Sequence, residues 1–114
     1  MKPVLPMASL ADGEMVACDV DGVSVLICRV DGRFHAVSNR CSHASQKLAG
    51  GRLRGHELTC PLHGARFDVR TGQALSAPAT QPIKTYPVAI EGGKVCVTVT
   101  PADRPPRPRF GPLN

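Results

Sequence analysis

Two short segments constrain this chain more than anything else in it: Cys41-Ser42-His43 and Cys60-Pro61-Leu62-His63. Each sets a thiol beside an imidazole, and sixteen residues separate His43 from Cys60. Both side-chain types are metal ligands, and neither segment holds enough of them to complete a site alone. A fold that uses both segments must bring two loops together and hold them there. The chain has 114 residues, room for one compact domain and too few for two ordinary ones. Trp is absent, with one Tyr and three Phe, so a core this small gains from a metal centre acting as a staple.

Three chemistries use two thiols and two imidazoles. A structural zinc site arranges them as a tetrahedron. A zinc finger, however, takes two Cys from one segment and two His from a helix, whereas here each loop carries one of each and Pro61 and Gly64 oppose a helix. Thiol catalysis pairs a Cys nucleophile with a His base, but no third group orients the base, and a duplicated pair is redundant. A Rieske-type [2Fe–2S] centre replaces two Cys by two His on one iron. Cys41 and Cys60 then hold the buried iron, and His43 and His63 the outer one. Backbone N–H groups of the two turns can point at the sulfides, and Gly64 permits the conformation this needs. The double pair followed by Gly64-x-x-Phe67-Asp68 favours this third use; a zinc-stabilised interaction module stands as the alternative.

Outside the pairs the pattern is β. Residues 15–20 alternate, which places Val16, Cys18 and Val20 on one face. Residues 23–30 are apolar on both faces, as in a covered central strand, and 33–38 follow. Asp21-Gly22 and Asp31-Gly32 between these runs are hairpin signals. Gly92-Gly93 joins 84–91 to 94–99 in the same way, with Val95, Val97 and Val99 sharing a face. Pro87 inside its run marks an edge or a bulge. Residues 39–82 contain both pairs and only short strand fragments, at 57–60 and 66–69. The expected fold is all-β: an antiparallel sandwich or barrel base forming a single domain over 1–100, a small cluster-binding lobe inserted at about 39–82, and a Pro- and Arg-rich tail at 101–114.

Cys18, Cys28 and Cys96 lie in apolar runs and read as buried free thiols. Pro3 and Pro6 interrupt the N-terminal segment, and no stretch approaches 18 apolar residues, so a reduced, cytoplasmic, membrane-free protein is expected.

The segments Cys41–His43, 60–78 ("CPLHGARFDVRTGQALSAP") and 82–97 ("PIKTYPVAIEGGKVCV") resemble the Rieske-type ferredoxins of bacterial aromatic-ring-hydroxylating dioxygenase systems. The resemblance runs from about Met15 to Val99 and implies a Rieske fold with one [2Fe–2S] cluster on Cys41, His43, Cys60 and His63. It implies a one-electron carrier, not an enzyme, working as a monomer. The carrier takes electrons from a flavin-dependent ferredoxin reductase and passes them to the Rieske centre of a terminal oxygenase. A small Rieske subunit of a nitrite reductase or similar complex is the alternative within this class. The resemblance further implies that Pro78 shields the flank of the cluster. Respiratory relatives carry an extra disulfide between the cluster loops, where this chain has Gln46 and Leu62. They also carry Ser and Tyr hydroxyls where it has Ala65 and Phe67. Fewer donors to the cluster imply a potential on the order of −150 mV, at the lower end of the Rieske range.

The formal charge is +5, from 14 Lys and Arg against 9 Asp and Glu. Without a basic helix or an aromatic ladder this does not indicate nucleic acid. It indicates an acidic partner and salt-sensitive association. Arg40, Arg52, Arg54 and Arg66 lie close in sequence to the Cys/His loops and are candidates for steering. His35 and His56 stand outside the pattern and read as non-ligands. Asp68 reads as structural, as a turn cap or the partner of an Arg, and Gly72 as a turn residue.

Overall fold

Three two-residue turns organise the chain. The computed structural model describes residues 2–42, 46–62, 64–77 and 79–104. In it Asp21 and Gly22 have φ of 51° and 85°, Asp31 and Gly32 51° and 77°, and Gly92 and Gly93 57° and 76°. Positive φ at both central residues is the type I′ turn, whose twist suits antiparallel strands.

Among the described residues the strands are β1 (Lys2–Pro6), β2 (Met15–Val20), β3 (Val23–Val30), β4 (Arg33–Ser38), β5 (Arg52–Arg54), β6 (Glu57–Thr59), β7 (Arg66–Asp68), β8 (Thr85–Tyr86), β9 (Val88–Glu91) and β10 (Lys94–Val97). They form three antiparallel sheets ordered β2-β3-β4-β8, β1-β10-β9 and β5-β6-β7. Among the described residues the architecture is all-β and sandwich-like, without a helical core.

β3 explains the layering. Its alternate residues Val23, Val25 and Ile27 enter one apolar core with Phe34, Ala36, Tyr86, Val95 and Val97. Leu26, Cys28 and Val30 enter a second with Val37, Leu58 and Phe67. Both faces of this strand are covered over most of its length, which is why six of its eight residues are apolar; Ser24 is exposed, and the half-buried Arg29 donates to the Met7 and Leu10 carbonyls. Each such fully buried aliphatic side chain contributes about 1.5–3 kcal/mol relative to exposure.

β5, β6 and β7 lie in the chain between β4 and β8, which pair directly through Ala36 with Tyr86 and Val37 with Thr85. The Ser38 N–H donates to the Lys84 carbonyl at 2.8 Å. The intervening chain therefore leaves and re-enters the central sheet at one place. Pro87 stands between β8 and β9 where the chain changes sheets, a point at which its missing N–H costs no ladder bond.

The structure differs from the sequence reading at several points. β1 was not expected, because Pro3 and Pro6 argue against a strand. It survives at the edge of its sheet, with a register shift between Pro3 and Leu5. β5 is too short and too charged to stand out, but Leu53 pairs with Leu58. Val16 is 38% exposed and Cys18 only half-buried, because β2 is an edge strand. Cys28 and Cys96 are buried, and none of these three thiols is in a disulfide. Residues 101–103, at the start of the expected tail, form a 3-10 turn held by the Thr100 N–H donating to the Asp103 carboxylate, which also pairs with Lys84. The rest of the expected tail, 105–114, lies outside the described residues. No helix among them is long and apolar enough to cross a membrane.

Candidate metal centre

Cys41 and Cys60 are each 3% exposed and share one apolar cluster with Leu48, Leu58, Ala65 and Phe67. Each opens a loop closed in the same manner. The Cys41 N–H donates to the Gln46 carbonyl at 2.8 Å, and the Cys60 N–H donates to the Ala65 carbonyl at 2.7 Å. Both closures span the same number of residues, although the Cys-to-His spacings inside them differ by one. In the second loop the Gly64 N–H returns to the Cys60 carbonyl at 3.2 Å, with Gly64 at φ +74°, a conformation glycine adopts without strain. His43 and His63 fall between the two ends of these loops in the chain, but they lie outside the described residues, as does Pro78.

Different devices hold the two loops. The second is the connection of the β6–β7 hairpin, whose ladder pairs Thr59 with Arg66 and Leu58 with Phe67. Phe67 is fully buried and anchors that hairpin in the core. The first is held by Asn39, a buried polar residue at 3% exposure. Its N–H donates to the Ser24 carbonyl and its Nδ2 to the Ser24 Oγ, both at 3.1 Å, while its Oδ1 accepts the Ala49 N–H at 2.8 Å. The Ser42 hydroxyl adds a bond of 2.5 Å to the Gln81 carbonyl. The sequence reading missed Asn39, and its only visible signal was an amide side chain between the end of β4 and the first Cys.

The donor chemistry fits an iron–sulfur centre. Soft thiolates in a dry apolar lining, with imidazoles close in sequence, suit iron–sulfur ligation and do not suit a hard cation such as calcium. Among the described residues no three His, Cys, Asp or Glu side chains converge; two of the four expected ligands lie outside that set. Cys28 shares the apolar cluster but stays in the regular ladder opposite Met15 and His35. Burial pushes its thiol up to about 12, so it remains a neutral thiol where a ligand must be a thiolate.

The remaining candidates take structural places. The His35 and His56 rings meet edge to face, 5.9 Å between centroids. Nε2 of His35 is buried with no hydrogen-bond partner among the described residues. Burial, followed by the nearby His56 and Arg70, holds the His35 pKa below its usual value. Asp68 forms an ion pair with Arg70 at 2.9 Å and accepts the Gly72 N–H at its carbonyl. Arg70 holds the Asp68 carboxyl below the usual carboxylate range. A Cβ at Gly72 would lie 2.0 Å from the Ile83 carbonyl oxygen, so this turn admits only glycine. Arg40, Arg52, Arg54 and Arg66 are all exposed.

A model of the Rieske [2Fe–2S] domain family matches residues 1–87. The ferredoxin component of the naphthalene 1,2-dioxygenase system of Pseudomonas aeruginosa is 43% identical over 91 residues, 80% of this chain and 88% of the relative. The solved ferredoxin of Sphingomonas yanoikuyae B1 superposes with a TM-score of 0.82 at 38% identity, covering 86% of this chain and 97% of that one. A chain in the solved complex of reduced oxygenase and oxidized ferredoxin of carbazole 1,9a-dioxygenase gives 0.80 at 30% identity, covering 83% and 89%.

Proposed function

This chain belongs to the Rieske [2Fe–2S] family as a ferredoxin of the ring-hydroxylating dioxygenase type, and from that premise we propose that it takes single electrons from a flavin-dependent ferredoxin reductase and delivers them to the Rieske centre of a terminal oxygenase. It is the electron-transfer component and not the oxygenase. In this reading Cys41 and Cys60 hold one iron as thiolates, and His43 and His63 hold the other through ring nitrogens. When bound, the cluster supplies a one-electron couple that is neutral when oxidised and carries −1 when reduced, counting the two thiolates.

The protein's own contribution is positional and electrostatic. The two backbone closures fix the loops, so that little has to move when charge arrives. The lining of Leu48, Leu58, Ala65 and Phe67 offers no hydroxyl and disfavours the added negative charge, which keeps the potential low. A low potential suits a carrier filled by a reductase.

The observation that carries this reading is the pair of equivalently closed loops, each headed by a buried cysteine in one shared apolar cluster. Metal and acid-labile sulfide analysis of the purified protein tests it. Two irons and two sulfides per chain, with a mixed-ligand paramagnetic spectrum after dithionite, are expected. One zinc without sulfide overturns it.

A further inference from the structure

The β5–β7 sheet is amphipathic with a period of two. Leu53, Leu58 and Phe67 pair across one face and enter the core. The opposite face carries the row Arg52–Thr59–Arg66 and beside it the row Arg54–Glu57–Asp68. Thr59, the middle of the first row, immediately precedes Cys60. An open groove of about 560 Å³ follows this row, lined among others by Gly51, Arg52, Arg54, Cys60, Pro61 and Arg66. Gly51 shapes this groove, because a Cβ there would lie 1.9 Å from the Thr59 carbonyl oxygen. Arg66 pairs with Glu57 at 3.1 Å, both side chains about half exposed. Among the described residues neither Arg52 nor Arg54 forms an ion pair. Leu62, at 53% exposure, sits beside Pro61 as an apolar point in this basic surround. An apolar centre with a charged rim is the anatomy of a protein interface.

We propose that this face, continuing through Pro61 onto the Cys60 turn, docks a carboxylate-bearing surface of the terminal oxygenase. The proposal rests on the electron-carrier reading above and identifies the face that the partner meets. The charge on this side selects for an acidic partner: three arginines against one glutamate line the groove, on a chain of net charge +5. The oxygenase is favoured as occupant because a chain of this same fold occurs in a solved oxygenase–ferredoxin complex. Exposed charges of this kind speed encounter more than they prolong residence, which suits a carrier that must leave after each electron.

The test uses cluster-loaded protein with a reductase and oxygenase pair that the wild-type chain couples. Arg52→Glu/Arg54→Glu is expected to raise the KM for ferredoxin in oxygenase turnover about tenfold at low salt, converging on wild type at high salt. Its reduced-state spectrum, and its rate of reduction by the reductase alone, should be unchanged. Glu57→Gln, which releases Arg66, should lower the same KM. Should the reversal variant fail to load, Arg52→Gln/Arg54→Gln takes its place with a smaller shift in the same direction. An unchanged KM overturns the docking face, and a defect confined to the reductase step overturns the choice of partner. Failure of the cluster-loaded wild-type chain to couple any reductase and oxygenase pair overturns the carrier reading itself.

Discussion

Ala65 and Phe67 share the apolar cluster of Cys41 and Cys60, at 1% and 0% exposure, without contributing a hydroxyl. A hydrogen bond donated toward the cluster region stabilises added negative charge, so Ala65→Ser should shift the reduction potential upward, as measured by voltammetry of the loaded protein. A potential that stays put or falls would show that position 65 does not tune the couple. Phe67→Ala removes the anchor of the β6–β7 hairpin and should destabilise by about 3–5 kcal/mol in a urea melt. Cys28 belongs to the same scale. With its thiol held up at about 12, it should resist iodoacetamide at mildly alkaline pH in the folded protein and react once guanidinium unfolds the chain. Labelling of Cys28 in the native state, located by peptide mass mapping, would contradict its assignment as inert packing.

At the scale of elements, Asn39 ties the first cysteine loop to β3 and to the turn at Leu48–Gly50. Asn39→Leu keeps the volume but leaves the Ala49 N–H without its acceptor, a loss of about 1–3 kcal/mol. Faster bleaching under a chelator should accompany it, while the hairpins of the base stay intact by circular dichroism. Asn39→Asp, which retains the acceptor, should lose less. Asn39 also shows where reading from sequence runs out. The hairpins at Asp21-Gly22, Asp31-Gly32 and Gly92-Gly93 were legible because turn chemistry and alternation are local. So were two of the candidate ligands, since Cys41 and Cys60 announce themselves by type and spacing and fall in one buried cluster; His43 and His63 lie outside the described residues. β1 and β5 were not legible: one is a strand only because β10 offers an edge, the other only because Leu53 meets Leu58. The exposure of Val16 was hidden too, because nothing local says that β2 ends its sheet. The value of Asn39 and the contact of His35 with His56 lie wholly in partners distant along the chain.

Across the whole molecule the central sheet serves two cores, and His35 stands on β4 where that sheet meets the turn carrying His56. Burial, then His56 and Arg70, disfavour a charged His35, against a smaller pull from Asp68, with Arg33 adding the least. The folded pKa therefore lies below the ordinary value of 6.5. As pH falls through that value, the unfolded chain takes up a proton that the folded chain refuses, so stability declines until the folded pKa is reached and then levels off. Asp68 obeys the opposite arrangement. Arg70 lowers its pKa, so its contribution is complete above the ordinary 3.8 and is lost only in stronger acid. The two losses occupy separate windows, the histidine step first. Urea melts of the loaded protein from about pH 8 to about pH 5 should show the first decline. His35→Gln should make it shallower while leaving the acid limb in place, the remainder coming from His43 and His63, which are freed to take up protons on unfolding, and His56→Gln should reduce it by removing one repelling neighbour. A decline that persists unchanged in His35→Gln would place the titrating group elsewhere in the fold.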